Sequence, residues 1–133
     1  MKQDISWEDF MSLDYNQVIK LQQLINQKYH TIDNEKQWEE IKNYKHVFED
    51  GTESNIHTSY LGFLEKCNIG KMIEILCNSD FYFPSIELTE SKYRSEYIVV
   101  GVTCLSGSKE FRGKTFEGDN LCDALWEAVK LVL

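Results

Sequence analysis

Residues 97–105 read YIVVGVTCL, a run of β-branched and aromatic residues that is the best predicted β-strand of the chain. Successive side chains of a strand point to opposite faces of a sheet. The positions expected to share one face are Ile98, Val100, Val102 and Cys104. The Ser-Gly-Ser sequence at 106–108 is typical of a turn, so the chain is expected to reverse there within an antiparallel sheet.

Two weaker strands are expected on either side of this one. Residues 83–88 read FPSIEL, and because Pro84 has no amide hydrogen to donate to a central ladder, this strand is expected at an edge of the sheet. The polar residues 89–96 are interpreted as the connection to the strand at 97–105. A third, more polar strand is predicted from Lys109 to Phe116, with Phe111 as its main apolar anchor.

Helices are predicted directly before and after the strands. Asn68 can cap a helix whose inward positions are Ile69, Met72, Ile73 and Leu76. Asp119 or Asn120 begins a closing helix with an apolar stripe formed by Leu121, Leu125, Ala128, Val129 and Val132. Trp126 falls beside that stripe, so it is either covered by the first half of the chain or exposed for a partner. The two helices are expected to cover the sheet, both on one face or one on each.

The first 57 residues are predicted to be mainly helical. Ser6 is followed three positions later by Asp9, and Asp14 by Gln17, which is the spacing of a capping box at a helix N-terminus. The first of these starts predicts a short helix over Trp7 to Leu13. The second predicts a longer helix whose apolar face is formed by Tyr15, Val18, Leu21, Leu24 and Ile25.

Two interpretations stay open for the residues that follow. Asn34 can cap a third helix through about Tyr44, with Trp38 and Ile41 facing inward. Alternatively, residues 47–52, VFEDGT, form a hairpin that turns on Asp-Gly. Further along the chain, Thr58 can cap a helical segment whose apolar residues are Tyr60, Leu61, Phe63 and Leu64.

This order of elements predicts an α+β fold in which N-terminal helices are followed by an α-β-β-β-α unit with a small antiparallel sheet. The 133 residues are expected to form a single domain, because a chain of this length buries about two-thirds of its surface on folding and no linker interrupts it. Residues 1–57 form its mainly helical N-terminal part, and residues 58–133 form the α-β-β-β-α core.

The second half resembles two kinds of known domain. Residues 69–76, IGKMIEIL, followed by strands and then by residues 117–130, EGDNLCDALWEAVK, are similar to the closing elements of the α-β-α sandwich domains of phages and prophages. That resemblance implies a phage or prophage origin and supplies no catalytic residues. The order of elements in residues 68–133 also resembles the double-stranded-RNA-binding domain. That family grips phosphates with a basic cluster at the start of its last helix, whereas residues 117–120 here are EGDN and would repel them.

The charge of the chain favours a protein partner. The formal net charge is −8, and residues 1–60 hold 11 acidic against 6 basic side chains. Nucleic acid and anionic lipid are therefore disfavoured as direct ligands, and a partner with a basic surface is favoured. The alternative is that this charge only keeps the protein soluble. Tryptophan and tyrosine are frequent interface anchors, and Tyr15 and Tyr44 are further candidates of that kind. The predicted protein-binding residues are Trp7, Glu35, Trp38, Glu39, Glu40, Glu49, Asp50, Glu53 and Trp126.

No pattern in the sequence indicates catalysis, a metal or a cofactor. The four cysteines form no CxxC pair and are interpreted as reduced core residues, and the set Asp50, Glu53 and His57 matches no calcium or zinc signature. The sequence lacks a signal segment at its start and an apolar run that could cross a bilayer, so a cytoplasmic protein is expected. The main hypothesis is a non-enzymatic phage interaction protein that modulates a host protein, for instance as an anti-CRISPR-like inhibitor. The alternatives are a divergent nucleic-acid-binding module and a small enzyme whose site is assembled from scattered residues.

Overall fold

The computed structural model describes residues 2–54, 57–78, 86–93, 97–104 and 115–133, and of these 57, 58, 86–93, 97–104 and 115 are described by their backbone alone. The helices are α1 (Trp7–Met11), α2 (Tyr15–Leu24), α3 (Glu35–Asn43), α4 (Leu61–Lys66), α5 (Ile69–Cys77) and α6 (Leu121–Val132). The strands are β1 (His46–Val47), β2 (Glu53–Ser54), β3 (Ile86–Tyr93), β4 (Tyr97–Cys104) and β5 (Thr115–Gly118). The predicted α+β class with N-terminal helices is confirmed.

The N-terminal helices begin at the predicted caps. The Ser6 hydroxyl accepts a hydrogen bond from the Asp9 amide at 3.1 Å, and the Asp9 carboxylate accepts one from the Ser6 amide at 2.9 Å. Asp14 and Gln17 form the same reciprocal pair at the start of α2. Asn34 caps α3 by accepting from the amide of residue 37 at 2.8 Å. Each cap satisfies an amide that has no partner within its own helix, which fixes where the helix starts.

Both interpretations of the residues after Asn34 hold, one after the other. Helix α3 ends at Asn43, and β1 and β2 then pair as an antiparallel hairpin with His46 opposite Ser54 and Val47 opposite Glu53. The Gly51 amide closes the turn by donating to the Phe48 carbonyl at 2.9 Å. Gly51 has a φ of 84°, a left-handed conformation that glycine adopts without steric cost.

The larger sheet is antiparallel throughout, as predicted, and its order β3-β4-β5 places β4 at the centre. Strand β3 lies at the predicted edge, but it extends to Tyr93, and the interpretation of residues 89–93 as a connection is wrong. Backbone pairing with β4 needs no apolar side chain, and an edge strand tolerates polar residues. Pro84, Phe111 and the predicted face of β4 lie outside the described residues or side chains.

Helix α6 is the central element of the molecule. It contacts β4, β5 and α5, and its carbonyls at Lys130 and Val132 accept hydrogen bonds from Gln17 and Lys20 of α2 at 3.1 and 2.6 Å. Its buried residues are Cys122, Ala124, Leu125, Trp126, Ala128 and Val129. At 100° per residue these positions span about 200° of the helix surface, which is wider than the predicted stripe. Of the two alternatives for Trp126, burial is therefore the one realised, at 1% exposure.

The cap predictions for the second half differ in outcome. Asn68 caps α5 and Asn120 caps α6, as predicted. The prediction of Thr58 as a cap is wrong, because a turn of 3-10 helix over His57–Tyr60 precedes α4 and Tyr60 occupies the cap position without a side-chain hydrogen bond. The short α4 is instead held by packing, since Phe63 and Leu64 are buried.

An aromatic cluster joins the first helices into one core. The ring of Phe10 lies 4.5 Å from that of Phe63 and 5.0 Å from that of Trp38, measured between centroids. The indole nitrogen of Trp38 donates to the Leu13 carbonyl at 3.2 Å. These contacts hold α3 against α1 and α4, so its opposite side faces away from the core.

Candidate protein-binding surface

The tryptophans predicted as interface anchors belong to the core. Trp7, Trp38 and Trp126 are all buried, so a partner has no access to their rings, and the prediction of these three as contact residues is wrong. Trp7 and Trp38 each contact an aromatic ring of another element, and a large apolar ring gains most when it is removed from water on all sides. The indole nitrogen of Trp126 is buried and has no hydrogen-bond partner among the described residues.

The six carboxylates predicted for protein binding all lie at the surface. Glu35, Glu39 and Glu40 are exposed on α3, whose buried residues are Trp38 and Ile41. The hairpin carries the other three exposed carboxylates, which are Glu49, Asp50 and Glu53. We call residues 35–54 the acidic arm. Tertiary structure therefore leaves the whole predicted acidic set accessible in one continuous segment.

Lysines neutralise only part of this charge. From residue 35 to residue 53 there are six carboxylates against three lysines, a net charge of −3. Lys42 lies 3.6 Å from Glu39, and Lys45 lies 3.7 Å from Glu53. Such exposed ion pairs add little stability, so the cost of exchanging them for ion pairs with a partner is small. The acidic arm thus presents a negative field to a second molecule.

Exposed apolar side chains lie beside the carboxylates of the acidic arm. Tyr44, Val47 and Phe48 are 46%, 60% and 48% exposed. Sequence reasoning singled out Tyr44 but missed the other two. The available signal was the hairpin itself: a ribbon of two short strands has no third element to cover its faces, so apolar residues within it remain in contact with water. Apolar side chains of this kind within a polar rim are typical of protein interfaces.

The turn of the hairpin is held by its own polar side chains. Oδ1 of Asp50 accepts hydrogen bonds from the Thr52 amide at 3.0 Å and from the Thr52 hydroxyl at 2.6 Å. These two hydrogen bonds lower the pKa of Asp50, so its carboxylate stays ionised at the tip of the hairpin. Phe48 and Thr52 are joined by a backbone hydrogen bond of 2.8 Å.

A second charged cluster joins the N-terminus to α6. The Lys2 ammonium lies 2.7 Å from a carboxylate oxygen of Asp9 and 2.5 Å from one of Asp123. Burial lowers the pKa of Lys2, but the hydrogen bonds and charges of both carboxylates outweigh burial and raise it above its ordinary value. Burial raises the pKa of Asp9, yet the hydrogen bonds from Lys2 and Ser6 outweigh it and lower the value. Because these charges satisfy one another, the cluster is a structural tie between α1 and α6.

Two of the described thiols, those of Cys67 and Cys122, are buried. Burial raises the pKa of Cys67 to about 12 and that of Cys122 to about 11, so both are protonated at neutral pH. Among the described residues there is no group of three or more His, Cys, Asp or Glu side chains that could hold a metal. The predicted alternative set of Asp50, Glu53 and His57 includes His57, whose side chain is not described.

Two further findings concern membranes and known proteins. Within the part of the chain that the structure describes, no helix is both long and apolar enough to cross a membrane. Comparison of the chain with models of known families, with curated proteins and with solved structures found no match.

Proposed function

We propose that this protein is a non-enzymatic interaction protein of phage or prophage origin that binds and modulates a host protein with a basic surface. The observation that carries the proposal is the acidic arm, where six exposed carboxylates and three exposed apolar side chains share one segment. A host defence protein that binds nucleic acid, the target of an anti-CRISPR-like inhibitor, has a cationic groove of the complementary kind. The site of action is then the host cytoplasm.

The charge and the apolar residues of the acidic arm have different roles in this proposal. Long-range attraction between an acidic segment and a cationic groove raises the association rate by orders of magnitude at low salt. Apolar contacts buried at the centre of an interface slow dissociation, and here Tyr44, Val47 and Phe48 are placed to make them. Both contributions are needed for an inhibitor that competes with nucleic acid.

The alternative of a nucleic-acid-binding module gains no support from the described surface. The region from the end of β5 to the first turn of α6 would face phosphates in a double-stranded-RNA-binding domain, and it carries Glu117, Asp119 and Asp123. A shift assay with RNA and DNA at about 50 mM salt, where phosphate contacts are strongest, tests this alternative directly. Retention of either nucleic acid would favour it over the proposal.

The proposal is tested by affinity capture from extracts of the host bacterium with a charge-matched pair of variants. The first variant carries Glu35→Gln, Glu40→Gln and Glu49→Gln, which removes three acidic-arm carboxylates that form no ion pair within the described chain. The control carries Glu8→Gln, Glu65→Gln and Glu117→Gln, which are exposed carboxylates outside the acidic arm. Glu8 matches Glu35, since each lies in the first turn of a helix.

The expected result is a protein captured by the natural chain and by the control but lost with the acidic-arm variant. Expression of the natural chain should also change phage plating on strains that carry a defence system, and the acidic-arm variant should not. An equal loss of capture with the two variants would mean that overall charge, rather than the acidic arm, governs binding. Recovery of no host protein, together with unaltered plating, would remove the proposal.

A further inference from the structure

The two faces of the β1–β2 hairpin differ in chemistry. The rings of His46 and Phe48 meet edge to face with centroids 4.6 Å apart, so these side chains share one face. Val47, between them in the chain, lies on the other face, opposite Glu53. Phe48 remains 48% exposed. We call the side that bears His46 and Phe48 the aromatic face.

Two carboxylates follow the aromatic face in the chain, at the turn. Glu49 and Asp50 directly follow Phe48, and both are exposed. An aromatic ring next to carboxylates suits a guanidinium group, which stacks flat on the ring and donates paired hydrogen bonds to a carboxylate. A lysine ammonium gains the charge attraction but lacks the planar fork, and it is more strongly hydrated.

We propose that the aromatic face of the hairpin is a docking site for an arginine-rich segment of the partner protein. This inference rests on the proposed function and names the partner chemistry for part of the acidic arm. Complementary charge identifies the occupant, since the acidic arm has a net charge of −3 and the exposed ring of Phe48 distinguishes arginine from lysine.

The hairpin is suited to this role because its turn is ordered before a partner arrives. Four hydrogen bonds fix it: the Gly51 amide to the Phe48 carbonyl, the Phe48 amide to the Thr52 carbonyl, and the amide and the hydroxyl of Thr52 to Asp50. A preorganised turn loses little conformational freedom on binding, so more of the contact energy appears as affinity.

The test uses two fluorescein-labelled peptides of equal charge, octa-arginine and octa-lysine, titrated with the full chain and followed by fluorescence anisotropy. The natural chain is expected to bind octa-arginine more tightly than octa-lysine by up to about fivefold, which is the full value of one exposed cation–π contact, because lysine keeps part of that contact. Phe48→Ala and Phe48→Leu should each reduce this preference, because the ring is lost while the carboxylates remain, and weak binding of both peptides should persist. The matched control is Val47→Ala, which alters the opposite face and should keep the preference.

The possible results separate this inference from the proposed function. Equal affinity of the natural chain for the two peptides, or an arginine preference that neither Phe48 variant reduces, would overturn the inference. The proposed function would still stand if the host protein is captured and the acidic-arm variant loses it. Circular dichroism of each variant verifies folding, and Phe48→Leu keeps the test valid if Phe48→Ala disturbs the hairpin.

Discussion

Replacement of Gly118 by alanine is the substitution for which the structure predicts the clearest effect. Gly118 ends β5 just before the first turn of α6. A Cβ atom built there would lie 2.6 Å from the backbone nitrogen of Ala124 and 2.7 and 2.8 Å from the Cβ and carbonyl carbon of Asp123. Optimal separations of such atoms are about 3.5–4.0 Å, so the overlap is about 1 Å. These neighbours belong to the helix itself and have no rotamer that relieves the clash.

The size of the expected loss in stability depends on which part of the fold must move to relieve the clash. Helix α6 is buried over about 200° of its surface, so a shift of its first turn disturbs the core. Overpacking of this kind costs about 3 kcal/mol, and the smaller conformational freedom of alanine in the unfolded chain offsets about 0.5–1 kcal/mol. The free energy of unfolding should therefore fall by about 2 kcal/mol, which for a domain of this size lowers the melting temperature by about 6–10 °C.

The assay is urea unfolding followed by far-ultraviolet circular dichroism, with Gly62→Ala as the matched control. Gly62 lies within α4, and a Cβ added there would meet nothing within 4 Å. In a helix this change should raise stability by up to about 1 kcal/mol. The two substitutions thus have opposite expected signs. If Gly118→Ala were as stable as the natural chain, the close approach of β5 to α6 would be refuted.

Three further predictions concern the core and the N-terminal ion cluster. The lowered pKa of Asp9 implies stability that is present above its ordinary pKa of 3.8 and is lost as pH falls through the pKa of the folded state. The raised pKa of Lys2 implies stability that is present below its ordinary pKa of 10.5 and is lost as pH rises through the pKa of the folded state. Lys2→Ala should therefore lower the free energy of unfolding by about 1 kcal/mol at neutral pH. It should also flatten the acid limb of the stability profile, in which the free energy of unfolding falls as pH decreases. Trp38→Phe should lower the free energy of unfolding, measured with urea, by about 2 kcal/mol, because a smaller ring replaces the buried indole and its hydrogen bond is lost. Cys67 and Cys122 should react with a thiol reagent at pH 8 only after unfolding in urea.

Each of these predictions has a contrary outcome. An acid limb that is equally steep in the natural chain and in Lys2→Ala would mean that Lys2 does not cause the lowered pKa of Asp9. Lys20→Ala is the matched lysine control, since Lys20 lies in no ion pair of the described chain and should leave that limb unchanged. A cost below about 0.5 kcal/mol for Trp38→Phe, the level of an ordinary surface substitution, would contradict its central place in the core. Rapid labelling of the folded chain at Cys67 or Cys122 would contradict their burial.

Helix starts were predictable because the chemistry that sets them is local. Ser6, Asp14, Asn34, Asn68 and Asn120 each accept a hydrogen bond from the amide three positions later, and that spacing is visible in the sequence. The central strand was predictable for a similar reason, because β-branched runs favour extended backbone wherever they occur. The six carboxylates of the acidic arm were also found from sequence, since charged side chains are almost never fully buried.

Only the tertiary structure decided which apolar residues remain outside the core. Trp7, Trp38 and Trp126 are buried, whereas Val47 and Phe48 are exposed, and their hydrophobicity alone gives no basis for that division. It depends on which distant elements cover each position: α6 has neighbours on more than half of its surface, and the hairpin is a ribbon of only two short strands. The sequence by itself thus determined five of the helix starts, the central strand and the acidic surface. The packing of elements far apart in the chain determined the close approach at Gly118 and the aromatic face of the hairpin, because burial is a property of the assembled fold.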